Sequence, residues 1–429
     1  MTGARPMISL YTGAGGMDYG FEAAGFETRV AVEFERDAAA SLRLNRSWPV
    51  IEADISNTPS TEILRVAGLR PGEAALLIGG PPCQPFSKSG YWSSGDAKRL
   101  ADPRARTLDE FMRVVRDALP EAFVLENVHG ISYTGKEEGM LLLQERIAQI
   151  NAETGASYTA TWQVVNAADY GVPQLRRRFF MVAEREGKRF EFPAPTHAPE
   201  EAGQGRLFHA SGDLRPYVTA WDAIGGLHPE QGEDLAVRGR WGALLPSIPE
   251  GENYLWHTDR RGGLPLFGWR RRYWNFLLKL AKDKPSWTIQ AQPGPAVGPF
   301  HWDNRRLSSK ETARLQTFPE GIRLAGGRNS IQRQLGNAVP SLLAEVIGQA
   351  IQEQFHGERP GEAKLAIELE RPIPPAEVTR AVPPRYLHLL GQHQAHPGTG
   401  RGYSRDAVAR PVGVRHPETA APTPQRSRE

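Results

Sequence analysis

The rhythm of the first half of the chain most constrains its fold. Apolar runs at 7–11 (MISLY), 28–33 (TRVAVE), 75–79 (ALLIG) and 121–126 (EAFVLE) read as strands, and helical patterns lie between them near 17–25, 36–45, 60–67 and 107–118. Short apolar runs alternating with amphipathic stretches predict an α/β fold, a parallel sheet covered by helices on both faces. Two longer β-like stretches follow at 158–166 and 177–183, separated by the turn-rich DYGVPQ. They predict a hairpin that closes the sheet with antiparallel pairing.

From about residue 193 the rhythm stops, and Pro, Gly, Trp and Arg become frequent up to about 300. A helix-compatible run at 309–317 comes next, and 338–355 has apolar residues at helical spacing that suit packing on the first sheet. The expected organisation of the 429 residues is a catalytic and cofactor-binding domain over 1–195, a second, smaller domain over 196–300, a return to the first domain over 301–357, and a Pro/Arg-rich tail over 358–429. The tail shows little periodicity, so it is expected to be disordered or loosely attached, and dispensable for activity.

Composition excludes several classes. No apolar run approaches the roughly 18 residues of a membrane span, so no membrane association is expected. The first residues carry no long apolar core, so no leader is expected either. Cys83 is the one cysteine, which removes intramolecular disulfides and multi-cysteine metal sites, and no metal is expected. A reducing, cytoplasmic setting is the simplest reading. Net charge is +3, and of the 52 basic residues nine are Lys and 43 Arg. Arg grips phosphates and guanine edges with paired hydrogen bonds, although a GC-rich coding bias gives the same excess.

Three loops at strand ends carry the chemistry. Tyr11-Thr-Gly13-Ala-Gly15-Gly16-Met17-Asp18 follows a strand and opens a helix. Its glycines permit a tight turn, and the helix N-terminus offers free N–H groups to an anion. Glu33 ends the next strand about 20 residues on, where a carboxylate can accept from ribose hydroxyls. Asp54, followed by Ile55, ends a third apolar segment within reach of an adenine amine. Together they describe a nucleoside-cofactor site, although Asp18 stands where the dinucleotide fingerprint needs a third Gly.

The second loop is Gly79-Gly80-Pro81-Pro82-Cys83-Gln84-Pro85-Phe86-Ser87. A lone Cys is commonly a small buried hydrophobe, but a polar Gly/Pro loop at the carboxyl end of a strand suits a nucleophile. The third is Glu126-Asn127-Val128, where the carboxyl group is either a helix cap or ion-pair partner, or a buried proton donor.

These motifs, in this order, resemble the DNA (cytosine-5)-methyltransferase family. Three later matches join them: Gln174-x-Arg176-x-Arg178, the block from Arg306 through Glu311, Arg314, Leu315, Gln316 and Phe318 to Pro319, and Gln334-x-Gly336-Asn337-Ala-Val339-Pro340. Tyr11 where Phe is usual and Ser308 where Thr is common are small departures. The resemblance covers about 7–355 except the middle region. It implies a Rossmann-like S-adenosylmethionine-dependent methyltransferase fold, with a mixed, mostly parallel sheet and a smaller target recognition domain.

The family methylates C5 of cytosine from S-adenosyl-L-methionine. The resemblance implies that the Cys83 thiolate adds to C6, that Glu126 hydrogen-bonds or protonates N3, and that Arg176 and Arg178 hold the base oxygen O2 and nearby backbone. It implies a cofactor site on Tyr11, Gly13, Gly15, Gly16, Met17, Glu33, Asp54, Ile55 and Pro81, completed by Asn337 and Val339. The cytosine must leave the duplex stack, so 84–106 is expected to close behind it, with Gln84 and Ser87 filling the vacated space.

In the middle region, 254–276 interleaves aromatics with Arg. Arg270, Arg271 and Arg272 are the expected DNA contacts, and the aromatics serve either the core or the DNA. The expected partners are double-stranded DNA and a cognate restriction endonuclease, with the protein acting as a monomer. Rivals are an RNA methyltransferase, a nicotinamide-dependent oxidoreductase and an inactive binding protein. The roughly 100-residue middle region favours DNA over RNA, and Cys83, Glu126, Arg176 and Arg178 argue against the other two.

Overall fold

A computed structural model describes residues 3–82, 106–128, 138–199, 214–230, 232–269, 273–368 and 372–392. The first half runs β1 (Arg5–Leu10), α1 (Gly16–Ala23), β2 (Phe26–Glu33), α2 (Arg36–Asn45), β3 (Val50–Glu52), α3 (Ser60–Ala67), β4 (Leu76–Gly79), α4 (Arg106–Ala118), β5 (Ala122–Val128), α5 (Glu138–Thr154), β6 (Thr159–Asn166), β7 (Gln174–Leu175) and β8 (Arg177–Glu184). Among the described residues, seven strands form one sheet in the order β3-β2-β1-β4-β5-β8-β6. The first five are parallel, and β8 enters antiparallel between β5 and β6, as the hairpin reading expects.

Both faces of the central strands are buried, which is why those strands read as near-continuous apolar runs. Ile8, Leu10, Val32, Leu77, Phe123 and Leu125 pack under α3, α4 and α5 through Ile63, Phe111, Val115 and Leu143. Met7, Leu76, Ile78, Val124 and Val182 face the other way, against Phe21 of α1 and Leu343, Ile347 and Ile351. These last three belong to the helix expected from 338–355, which therefore packs on the first sheet.

Register sets the functional edge. Leu10 pairs with Val32 and Gly79, and Gly79 with Leu125. The residues that follow, Tyr11, Glu33, Gly80 and Glu126, therefore emerge side by side at the carboxyl ends of the parallel strands.

After β8 come β9 (His197–Ala198) and β10 (Arg215–Pro216), which pair with each other, and α6 (Ala220–Ile224). The middle region then runs mostly in turns and short 3-10 segments around its own core of Leu244, Leu245, Ile248, Tyr254, Leu255, Leu266, Leu277 and Phe300. It returns to the first half at β11 (Ser286–Trp287), which pairs parallel with β7 in a separate two-stranded sheet, and continues through α7 (Ser309–Leu315), α8 (Arg328–Asn337) and α9 (Ser341–His356). Ser308 and Glu311 form a capping box that starts α7. Pro340 delays α9 beyond the start of the expected pattern.

The stretches 358–368 and 372–392 of the tail expected from 358 are packed on the protein. Ile367 and Tyr386 are buried, and the backbone N–H groups of Lys364 and Leu365 donate to the Glu345 carboxylate. Isolated anchors hold this stretch, so it has no period to read. Residues 393–429 lie outside the described residues. No described helix is long and apolar enough to cross a membrane.

Candidate active site

The turn after β1 is built for close approach. Gly13 and Gly15 have φ of 59° and 83°, the left-handed region that favours glycine, and Gly15 caps α1. A Cβ at Gly13 would meet nothing within 4 Å, so the space above the turn is open. At Gly16 it would lie 2.5 Å from the Val339 carbonyl oxygen, so the segment from α8 to α9 crosses directly over the turn. The return of Asn337 and Val339 to this edge is therefore present in the fold. Asn337 is exposed at the end of α8, whereas the Val339 side chain is buried in the sheet core.

Glu33 is buried, and both its carboxylate oxygens already accept backbone N–H groups: Oε2 from Gly13 at 2.6 Å and Oε1 from Glu35 at 2.7 Å. Burial raises its pKa, and the amides of Glu35 and Gly13 oppose the rise. Each oxygen keeps a second lone pair for a hydroxyl. Asp54 is exposed, with one oxygen taken by the Ser56 N–H and hydroxyl. Met17 and Ile55 are core residues, so only their backbone is available at the site.

Tyr11 adopts φ 53° and donates its hydroxyl to the Thr107 carbonyl at 2.8 Å. The Thr107 hydroxyl donates in turn to the Pro82 carbonyl at 3.1 Å. Pro81 is buried, and its carbonyl accepts from Asn127 Nδ2 at 3.1 Å. Asn127 stands in the sequence motif with Glu126 but had no role of its own there. The turn after β1, the end of β5 and the start of α4 thus converge on Pro81 and Pro82. Cys83, Gln84, Ser87, Arg270, Arg271 and Arg272 lie outside the described residues.

Glu126 is 8% exposed and pairs with Arg178, Nε to Oε1 at 2.9 Å. A Cβ at Gly80 would lie 2.9 Å from its Oε2. The carboxylate therefore sits against the loop that leads into Cys83, three residues on. Burial raises the Glu126 pKa, while Arg178 and then Arg176 pull against the rise. A carboxyl group so held can accept from, or donate to, a ring nitrogen.

Arg176 takes main-chain partners in this structure. It is fully buried, and its terminal nitrogens grip main-chain carbonyls: Nη1 reaches Ile289 at 3.1 Å, and Nη2 reaches Gly336 at 2.6 Å and Ala338 at 2.9 Å. A guanidinium is long enough to cross this seam and its five donors suit carbonyls on both sides. It holds the backbone on either side of Asn337, leaving Arg178 to face Glu126.

Sequence reading also passed over Phe34. It directly follows Glu33 and is 68% exposed, an aromatic ring left in water at the carboxyl edge beside an open glycine turn. An aromatic residue next to the acidic strand end was the signal. In the middle region Tyr254 is core, Trp269 carries Arg260 over its ring at 4.4 Å, and Tyr273 and Trp274 are exposed. Its aromatics therefore divide between core and surface.

A sequence model of the family described as C-5 cytosine-specific DNA methylase matches residues 6–230 and 264–353. The Type II methyltransferase M.SacI of Streptomyces achromogenes is 43% identical over 375 residues, covering 82% of this chain and 93% of that protein. The Type II methyltransferase M.NgoFVII of Neisseria gonorrhoeae is 32% identical, covering 78% and 83%. In fold, the chain is similar to a mutant of Spodoptera frugiperda DNMT2, with a TM-score of 0.55 at 15% identity, covering 82% of this chain and 100% of that one. It is also similar to the methyltransferase EhMeth of Entamoeba histolytica, with a TM-score of 0.53 at 15% identity, covering 82% and 98%.

Proposed function

The chain belongs to the C-5 cytosine-specific DNA methylase family, and from that premise we propose that it methylates C5 of a flipped-out cytosine in double-stranded DNA, within one short sequence context, using S-adenosyl-L-methionine. The observation that carries the reading is the Glu126 carboxylate, buried on Arg178 and set against Gly80 at the entrance to the Cys83 loop. An acid beside the loop that leads to a candidate nucleophile suits addition across an electron-poor ring.

C5 of cytosine is a poor nucleophile until the ring is activated. The Cys83 thiolate adds to C6, forming an S–C6 bond and moving the ring electrons toward N3. Glu126 supplies a proton at N3, so C5 gains enamine character. Arg178 orients the carboxylate and stands beside it for the base oxygen O2. When bound, S-adenosyl-L-methionine supplies the electrophilic methyl group that C5 accepts. A base then takes the C5 proton, the S–C6 bond breaks with the thiolate leaving, and the N3 proton returns to Glu126.

The residues present suit that cofactor. The space over Gly13 is open, the N-terminus of α1 can receive its carboxylate, and Glu33 can accept from its ribose hydroxyls. Phe34 offers a ring face to its adenine, with Asp54 and Pro81 as further neighbours, and Asn337 closes the site from α8.

Relatives named as Type II methyltransferases support a place in a restriction–modification system. The protein would then work as a cytoplasmic monomer, protecting host DNA from a cognate endonuclease. The direct test is transfer of labelled methyl from S-adenosyl-L-methionine to duplex DNA, with RNA in parallel. Label in DNA is expected. Label confined to RNA, or none from folded protein, overturns the reading.

A further inference from the structure

The stretches that the family model leaves unmatched include 231–263 and, past 353, the described residues 372–392. These two pack on each other. Tyr386 is buried in the middle-region core, stacked on Trp241 with ring centroids 5.9 Å apart and planes 14° off parallel, and its hydroxyl donates to the Arg240 carbonyl at 2.7 Å. Val382 and Leu389 flank the same core. The Arg380 N–H donates to the Pro246 carbonyl at 2.9 Å, and the Glu377 N–H to Glu250 Oε1 at 2.7 Å.

A second anchor is ionic. The Lys282 side chain is 4% exposed, and its Nζ reaches Glu250 at 2.9 Å, Glu377 at 3.0 Å and the Pro375 carbonyl at 3.1 Å. A buried ammonium held by two carboxylates from distant parts of the chain fixes both to one geometry.

Both anchors connect to segments that the proposed function uses. Trp241 packs edge-on against Phe267 and Phe276, which bracket the Trp- and Arg-rich run 268–275. Lys282 precedes β11, whose Ser286 and Trp287 pair with Gln174 and Leu175, and the chain continues from there into Arg176 and Arg178.

We propose that residues 372–392 form a strap that completes the target recognition region, with Tyr386 and Glu377 as positioning residues for DNA discrimination. This rests on the DNA-methylation reading above. The strap shapes the surface that reads DNA through Trp241 and Lys282, without touching the cofactor turn or the Glu126–Arg178 pair.

The test compares wild type, Tyr386→Ala, Tyr386→Phe and Glu377→Ala in the full-length protein. Steady-state methylation is measured on a duplex carrying the methylated site and on duplexes with single base changes in it, and S-adenosyl-L-methionine binding is measured separately. Tyr386→Ala and Glu377→Ala are expected to raise KM for DNA by about tenfold and to narrow discrimination between duplexes, with kcat and cofactor affinity near wild type. Tyr386→Phe keeps the stack and is expected to restore most of the loss. Unchanged KM and discrimination in both Ala variants overturn the strap, as does a loss extending equally to kcat and cofactor binding. Failure of wild type itself to methylate DNA removes the reading beneath it and the proposal with it.

Discussion

The Arg178 guanidinium approaches Glu126 to 2.9 Å in a pocket where both side chains are largely enclosed. Opposed forces set the state of the carboxylate: burial favours its neutral form, and Arg178 favours its ionised form. Glu126→Gln keeps size and one hydrogen bond but removes the transferable proton. The expected result is a fall in kcat of about 100-fold to 10,000-fold with DNA and cofactor binding retained. Arg178→Ala removes the attraction that lowers the Glu126 pKa, so that pKa should rise. If the acid form is the active one, the alkaline limb of the kcat profile moves to higher pH. A limb that stays in place or moves down argues against Glu126 as proton donor.

The glycine turn and the returning C-terminal segment are in van der Waals contact at Gly16 and Val339. A Cβ at Gly16 would come within 2.5 Å of the Val339 carbonyl oxygen, so Gly16→Ala forces the two apart. The expected cost is about 1–3 kcal/mol of stability, as for overpacked cores. Cofactor affinity should also fall, measured by denaturant unfolding and equilibrium dialysis. Wild-type values in both would show that the segment does not close the turn.

Phe34 stands mostly in solvent beside Glu33, so its removal costs the fold little. Stacking of a base on an aromatic ring contributes roughly 1–3 kcal/mol. Phe34→Ala should therefore weaken S-adenosyl-L-methionine binding by about tenfold or more while leaving the unfolding midpoint unchanged. Unaltered affinity would place the adenine elsewhere.

Asp18 is buried in the first turn of α1, and burial pushes its pKa up to about 7 against the opposing pull of the Ser9 hydroxyl. The folded state therefore holds a proton that the unfolded chain releases near pH 4. The contribution of this group is most favourable below pH 4, declines as pH rises toward 7, and is level above. Asp18→Asn removes that dependence. Its stability relative to wild type should rise between pH 4 and 7 and then stay constant, in urea melts across that range. A constant difference would show that Asp18 does not titrate there.

What the sequence made legible follows from where the physics is local. β1, β2, β4 and β5 are buried on both sides, so their apolar runs were readable and their shared edge predictable. Glu33 and Glu126 were found because strand ends are visible. β7 and β11 were not, because two-residue pairings between Gln174–Leu175 and Ser286–Trp287 arise only from tertiary contact. α5 was also passed over, its apolar positions following the segment 129–137 without a clear start signal. Arg176 and Arg178 look alike in sequence, and only the path of a long side chain separates one at the main-chain seam from one at Glu126. Tyr386 anchors the strap and Ile367 the stretch before it, and isolated anchors in a Pro-rich stretch leave no period.

The most direct measurement is bisulfite sequencing of DNA from a bacterial host without cytosine methylation, expressing either wild type or Cys83→Ser. The account predicts protected cytosines in one short sequence context with wild type and none with the mutant, although the mutant still binds DNA. Protection that persists in Cys83→Ser would contradict the covalent mechanism, and no protection from folded wild type would contradict DNA methylation itself.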